Sequence, residues 1–211
     1  MPIYAFANYN SALTNTVYVN LAVYMENYPQ ITLVSPATTT GGILTTNGTG
    51  YATFDDSSLF NEGEVNFVVM TATKFNTIGA TEQFVISSYE IPSPYDIYAV
   101  RVTSTGVRYF IRDVGGTNDF TYATTITTGT WYHFAIVVDQ STNAAKCYFN
   151  GVLVNTFAPE RMPTYVGAVL VVGGAINSGG AHSIVQGQTK MTQVYKGFLD
   201  DAQIAAEAAK V

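Results

Sequence analysis

Charge is what this sequence has least of. Lys, Arg, Asp and Glu make up 11% of its 211 residues, where an average soluble domain carries about 25%. The balance is acidic, at −6. That argues against a general nucleic-acid binder, because phosphate contacts need a basic face. Cysteine is nearly missing as well: Cys147 stands alone, so no intrachain disulfide forms and no Cys/His cluster is present to hold a structural zinc. The most apolar stretch, Val17 to Met25, is interrupted by Asn20 and falls far short of the ~20 residues of a membrane-spanning helix, so no membrane insertion is expected. The start, MPIYAFANYNSALTN, has no Lys or Arg and so lacks the basic opening of a secretory signal. These absences lead us to expect a protein made in a cytoplasm, with an extracellular location as the alternative.

Thr, Tyr, Asn and Gly supply the polarity instead, a mix that suits exposed strands and turns. It also suits a surface partly covered by neighbouring chains, since charge is depleted at interface cores. Residues 1 to 54 contain a single charged residue, Glu26, and are rich in tyrosine, so they do not read as a solvated tail. We divide the chain into residues 1–36, an apolar N-terminal arm or first strands, and residues 37–211, a sandwich domain. From Tyr51 onward short strands alternate with turn clusters. The candidates are Val65–Thr73, Gln83–Ser88, Tyr95–Val102, Val107–Asp113, Trp131–Asp139, Ala144–Phe149, Val152–Phe157, Val169–Val172 and Thr189–Tyr195. Turns are expected at Thr103–Gly106, Gly115–Asn118, Gln140–Asn143, Asn150–Gly151 and Asn177–Gly180.

Two hairpins can be placed by register. Asn150-Gly151 lies between CYF and VLV, and both turn positions favour residues that tolerate φ > 0. A loop from Thr103 to Gly106 would set Val102 against Val107, Val100 against Tyr109 and Tyr98 against Ile111, a wholly apolar face that should be the core side. The other face then carries Ala99 against Phe110 and Arg101 against Arg108, with Arg112 further along. The one helix expected is the last, capped by Asp200 or Asp201 and continued by AQIAAEAAK, which is rich in strong helix formers. The fold class is therefore all-β, a two-sheet antiparallel sandwich with a short C-terminal helix.

The segment from Gly129 through Trp131 and His133 to Asp139, followed by Lys146-Cys-Tyr-Phe-Asn150-Gly151-Val-Leu-Val154, closely resembles the laminin-G-like, concanavalin-type family. Gly50 to Asp55, Val171-Val-Gly173-Gly174, Gly187, Tyr195 and Leu199-Asp200 extend the resemblance over most of the chain. It implies a jelly-roll sandwich of the concanavalin A-like lectin-glucanase type, and similar domains occur in phage particles. Where that family's closing strand often carries an Asp near the partner-contacting edge, this chain has Lys190, so no role of that Asp can be carried over.

Little here reads as catalytic. Glucan-hydrolysing relatives of the fold place an E-x-D-x-x-E cluster on one strand, and glycoside hydrolysis needs two carboxylates flanking the bond. No strand here has that spacing, so an enzyme is not expected. His133 reads as a packed, hydrogen-bonded histidine, His182 as an exposed one in the NSGGAHS loop, and Cys147 as a small core hydrophobe. No cofactor is required. Calcium is the one ion the sequence allows, with Asp96 facing Asp113 at the open end of a hairpin as candidate ligands and Asp55, Asp56, Asp119 and Asp139 as further oxygens. Arg101, Arg108 and Arg112, three of nine basic residues, share a face with Phe110 and are expected to meet a partner there. The favoured expectation is a virion structural protein (head decoration, fibre or tail) contacting other virion proteins, copies of itself or a cell-surface glycan. The alternative is a carbohydrate-binding lectin module outside any virion.

Overall fold

Alternation of side chains along nearly every strand builds two stacked sheets. A computed structural model describes residues 18–20, 31–55, 66–89, 96–113, 116–139, 141–158, 169–177, 180–197 and 199–211. The strands are β1 (Tyr18–Asn20), β2 (Ile31–Val34), β3 (Thr38–Thr40), β4 (Ile43–Asn47), β5 (Tyr51–Asp55), β6 (Phe67–Phe75), β7 (Gln83–Tyr89), β8 (Asp96–Thr103), β9 (Gly106–Asp113), β10 (Gly116–Ala123), β11 (Trp131–Asp139), β12 (Ala144–Phe149), β13 (Val152–Phe157), β14 (Val169–Val172), β15 (Ala175–Asn177), β16 (Gly180–His182) and β17 (Gln186–Lys196). One helix follows, α1 (Asp201–Ala208).

Sheet A runs β13-β12-β11-β6-β17-β4-β3, with β1 also on β17, and sheet B runs β10-β9-β8-β7-β14-β5-β2. Every described pairing between named strands is antiparallel. Of residues 1–36, the stretches 18–20 and 31–34 pair as β1 and β2; the rest of the expected arm before residue 31 lies outside the described residues.

The main core fills the space between the sheets. Phe67, Val69 and Phe75 of β6 and Phe134, Ile136 and Val138 of β11 meet Tyr98, Val100, Val102, Val107, Tyr109 and Ile111 from sheet B. The expected β8–β9 register holds residue for residue, including Arg101 opposite Arg108. The loop between them is tighter than expected: Thr103 pairs with Gly106, which leaves two residues to turn. The other hairpin turns at Asn150 and Gly151 with φ of 49° and 78°, the left-handed pair its Asn-Gly sequence favours. A strand was missed at Gly116–Ala123, where a turn was expected through Asn118. Phe120 and Tyr122 pack on the core from it, and alternation outweighed the turn residues.

Two features shape sheet A. A bulge in β17, with Met191 at φ 53°, lets both Thr189 and Thr192 point inward. They bond Thr73 and Thr71 through their hydroxyls at 3.2 and 2.9 Å, so four buried polar side chains on neighbouring strands are satisfied in pairs. Gly187 is needed where β17 crosses β6, because a Cβ there would lie 2.1 Å from the Lys74 carbonyl oxygen. The outer side of sheet A holds a second, smaller core, with Val68, Met70, Ala135, Val137 and Tyr148 under Leu199 and Ile204. Asp200 caps α1 through a capping box with Gln203. Asp201, the next residue, accepts from the Tyr148 hydroxyl at 2.7 Å and the Lys146 ammonium at 3.0 Å, and these bonds hold its carboxyl below the usual range.

Candidate functional site

The outer face of sheet B gathers the residues expected to meet a partner. Because Ala99 pairs with Phe110 and Arg101 with Arg108, and Phe110 and Arg108 pair in turn with Asp119 and Thr121, these side chains form two rows on one face. Phe84 on β7 joins them opposite Arg101. The Arg101 guanidinium lies 4.6 Å from the Phe84 ring centre and 4.9 Å from that of Phe110, so it is held between two aromatic rings. Glu82 lies 3.5 Å from Arg101 and 3.3 Å from Arg108. Asp119 accepts from the second terminal nitrogen of Arg108. The Asp119 bond is the main reason the Arg108 guanidinium is pushed above its ordinary pKa, with Glu82 adding to it against a modest cost of burial.

The result is a charge-balanced cluster beside an aromatic ring, open to solvent at Arg108 and Asp119. The β15–β16 hairpin walls one side: Ala175 packs with Phe84 and Ala99, and His182 meets Phe84 edge-on at 5.3 Å. His182 is therefore half-buried against this face rather than simply exposed. Arg112, expected on the same face, has its side chain outside the described set, as do Asp96 and Asp113; the described pairings set Asp96 against Tyr89 and Asp113 against Gly116.

The sequence profile of the concanavalin A-like lectin/glucanases superfamily matches residues 45–205. The chain belongs to this superfamily. Three solved structures show how the concanavalin A-like fold is shared. Domain 4 of a GH43 extracellular arabinanase from Geobacillus stearothermophilus, in complex with arabinotriose, has a TM-score of 0.66 at 16% identity and covers 90% of this chain and 96% of that one. The CBM40 of the Ruminococcus gnavus IT-sialidase, bound to alpha2,3 sialyllactose, has a TM-score of 0.61 at 18% identity, covering 76% and 92%. The binding domain of botulinum neurotoxin DC, in complex with rat synaptotagmin II, has a TM-score of 0.63 at 11% identity, covering 85% of this chain and 46% of that one. No curated protein matches by sequence.

The remaining expected site residues take structural places in the concanavalin A-like sandwich. His133 is buried, as expected, but neither ring nitrogen has a hydrogen-bond partner, contrary to expectation. Its backbone N–H instead donates to the Asn150 side chain at 2.9 Å. It shares the outer face of sheet A with Ala135 and Val137, the strand positions under α1, and burial lowers its pKa to about 4. Burial pushes the Cys147 thiol up, which keeps it protonated and inert. Asp139 forms a turn: its carboxylate accepts from the Ser141 backbone and hydroxyl at 2.9 and 2.6 Å and from the Thr142 hydroxyl at 2.9 Å. Burial pushes that carboxyl up, and these bonds outweigh it and hold it below its usual range. Among the described residues no group of three or more His, Cys, Asp or Glu side chains could hold a metal ion, and no helix is long and apolar enough to cross a membrane.

Reading the sequence identified the arginines but missed the carboxylates that answer them. Glu82 lies just before β7 and Asp119 in the missed strand β10. Recognising the Phe120/Tyr122 alternation would have placed Asp119 beside Arg108.

Proposed function

We propose that the chain is a non-catalytic glycan-binding module whose sugar contact is the outer face of sheet B around Glu82, Arg108, Phe110 and Asp119. The observation that carries this reading is the Arg108 guanidinium set between two carboxylates beside a half-buried ring. A sugar presents adjacent hydroxyls that both donate and accept. A fork of N–H donors flanked by acceptor-only carboxylates matches that pattern, and the partly exposed Phe110 ring adds apolar surface for the sugar's C–H groups. The geometry also argues for binding over hydrolysis. A glycosidase needs the space between its carboxylates for the scissile bond, and here Arg108 fills it. The arabinotriose and sialyllactose complexes of the similar domains support a carbohydrate ligand.

The test is a glycan array followed by calorimetry, with and without calcium. Arg108→Ala is expected to weaken binding about tenfold or more, the worth of a charge-assisted hydrogen bond. Absence of any array hit and of calorimetric binding at millimolar ligand would remove the reading. Loss of binding on chelation would bring Asp96 and Asp113 in as calcium ligands.

A second reading, assembly within a virion, is favoured by one observation. Strand β13 is the edge of sheet A, its sequence VLVNTF has no charge, and Val152 and Leu153 are 64% and 38% exposed. Edges are ordinarily protected by charge or proline, and an uncharged one suits pairing with another virion protein or a second copy. Light scattering on the eluted protein tests self-assembly: an oligomer dispersed by Leu153→Lys supports it, and a monomer at tens of micromolar removes self-pairing at this edge.

A further inference from the structure

The C-terminal helix closes over a histidine that has nothing to bond. His133 alternates along β11 with the core residues Tyr132 and Phe134, so its ring points to the outer face of sheet A, where it is 1% exposed. Neither ring nitrogen has a hydrogen-bond partner among the described residues. A buried polar group without a partner is uncommon in a folded protein, and an alkyl side chain would fill this position without that cost. His133 pairs across to Ala72 on β6, and Ala72 to Lys190 on β17. The last turn of α1 is held down at the two ends of this row. At one end Asn150 accepts from the His133 backbone N–H at 2.9 Å. The next residue, Gly151, lies so close to the helix that a Cβ on it would be 3.0 Å from both Ala205 and Ala208. At the other end the Lys190 ammonium donates to an oxygen of Val211 at 3.0 Å. The C-terminal part of α1 therefore spans the row and covers the imidazole.

A proton on His133 is incompatible with this closure. The neutral ring has one N–H; the protonated ring has two and a positive charge, which a closed apolar site disfavours. The carboxylates on the surrounding elements are engaged elsewhere. Asp201 of α1 accepts from Tyr148 and Lys146 of β12, Glu207 from Lys210, and Val211, the last residue, from Lys190 of β17. The other charged group described on this face is Lys74 of β6. It and Lys190 lie 5.1 and 4.5 Å from the centre of the Trp131 ring. Burial lowers the His133 pKa from 6.5 to about 4. In an open form the ring is hydrated and titrates near its ordinary value, so acid favours the open form. The C-terminal turn is the weakest part of the closure. Only Ala205, Ala208 and Val211 make it, whereas Leu199 and Ile204 pack on Val68, Met70, Ala135, Val137 and Tyr148. The Asp201 carboxyl, held below its usual range, stays ionised on Tyr148 and Lys146 and keeps the other end of α1 in place.

We propose that His133 is a proton-operated latch: when its ring is protonated, the last turn of α1 and the residues after it lift from sheet A while the two-sheet sandwich stays folded. The main core lies between the sheets and includes no residue of α1, so the opening stays local. The open form binds the proton more tightly. The latch is therefore closed above about pH 6.5 and loosens as pH falls towards 4. At pH 5 the ratio of open to closed should be about 30 times that at pH 7.5. The latch is on the opposite sheet from the Arg108 cluster and stands or falls separately from it.

Hydrogen exchange of the whole protein between about pH 7.5 and 5, corrected for the intrinsic pH dependence of amide exchange, tests the latch. The backbone N–H groups of Ala209, Lys210 and Val211 bond to Ala205, Glu207 and Ala208 and report on the last turn. Their protection is expected to fall about 30-fold across that range, while protection of β8 and β9 stays unchanged. His133→Leu and His133→Gln should both remove the pH dependence, with circular dichroism checking that each is folded. The wild type supplies a readout that needs neither variant. The chain has two histidines, so NMR of the ring-labelled protein, assigned with His182→Ala, follows His133 directly. Its ring should titrate together with the loss of α1 protection. The proposal is overturned if α1 protection is constant, if it falls in step with that of β8 and β9, or if both variants keep the pH dependence. It is equally overturned if His133 titrates near 6.5 while α1 stays protected. A rise in α1 protection on acidification would also overturn it, since the ring would then have found the Glu207 oxygen that is buried without a partner.

Discussion

The two outer faces of this sandwich use their few charges in opposite ways. On sheet B, Glu82 answers both Arg101 and Arg108, Asp119 answers Arg108 again, and Arg101 is packed between two rings. On sheet A, one half is closed by α1 over an apolar patch, and the other half sets two lysines against an indole, Lys190 also donating to an oxygen of Val211 at 3.0 Å. In a chain so poor in charge, a cation is held mainly by carboxylates, as on sheet B, or mainly by a ring, as on sheet A. The first face is a balanced hydrogen-bonding cluster. The second rests on cation–ring contacts.

The largest expected effects concern the closed half of sheet A. Ile204 is fully buried, so Ile204→Ala should cost about 3 kcal/mol, read as a shift of the urea midpoint. A loss well below 1 kcal/mol would mean that α1 is not what closes this half.

His133, on the same face, adds a pH dependence. Its folded pKa of about 4 lies below its ordinary value of 6.5, so the unfolded chain binds the extra proton first. Stability should be full above about pH 6.5 and decline as pH falls towards 4, by a total of about 3 kcal/mol. The depressed carboxyls of Asp139 and Asp201 lose their contribution only below about pH 4, as those groups protonate, so the two windows separate. Denaturation midpoints measured from pH 8 to 4 should show the slope in the wild type and a flat profile in His133→Leu. A slope unchanged in that variant would assign it to other groups.

Smaller effects distinguish the two faces directly. Glu82→Gln removes the carboxylate shared by two guanidinium groups and should destabilise by about 1 kcal/mol, the upper end for partly exposed ion pairs. Lys74→Gln should change stability by less than about 0.5 kcal/mol, as for a surface residue outside any ion pair. If thermal melts rank the two variants the other way, the contrast drawn between ion-paired and ring-held cations is wrong.

Local sequence carried the hairpins a long way. Alternation fixed which side of β8 and β9 is buried, and the Asn-Gly pair fixed the β12–β13 turn. The helix cap was legible to within one residue: Asp200 or Asp201 was expected, and Asp200 takes the place in a capping box with Gln203. Strand β10 was lost because Gly115, Gly116 and Asn118 read locally as a turn, and only pairing along β9 makes them an edge. The two outer faces were half legible. Arg101, Arg108 and Phe110 share a hairpin, so a period of two brings them to one face. Trp131, Lys74 and Lys190 come from three distant stretches, and nothing in their local sequences links them.

The sequence by itself determined the class of fold, the inward face of each long strand, the turn at Asn150-Gly151, the terminal helix and the scarcity of charge, because each follows from a local period or a local backbone preference. Only the tertiary structure decided which charges meet. The order β11-β6-β17 places Trp131, Lys74 and Lys190 together, and the order β10-β9-β8-β7 places Asp119, Arg108, Arg101 and Glu82 together. Strand order is set by how two whole sheets close over a shared core, a property of the assembled chain that no single segment carries.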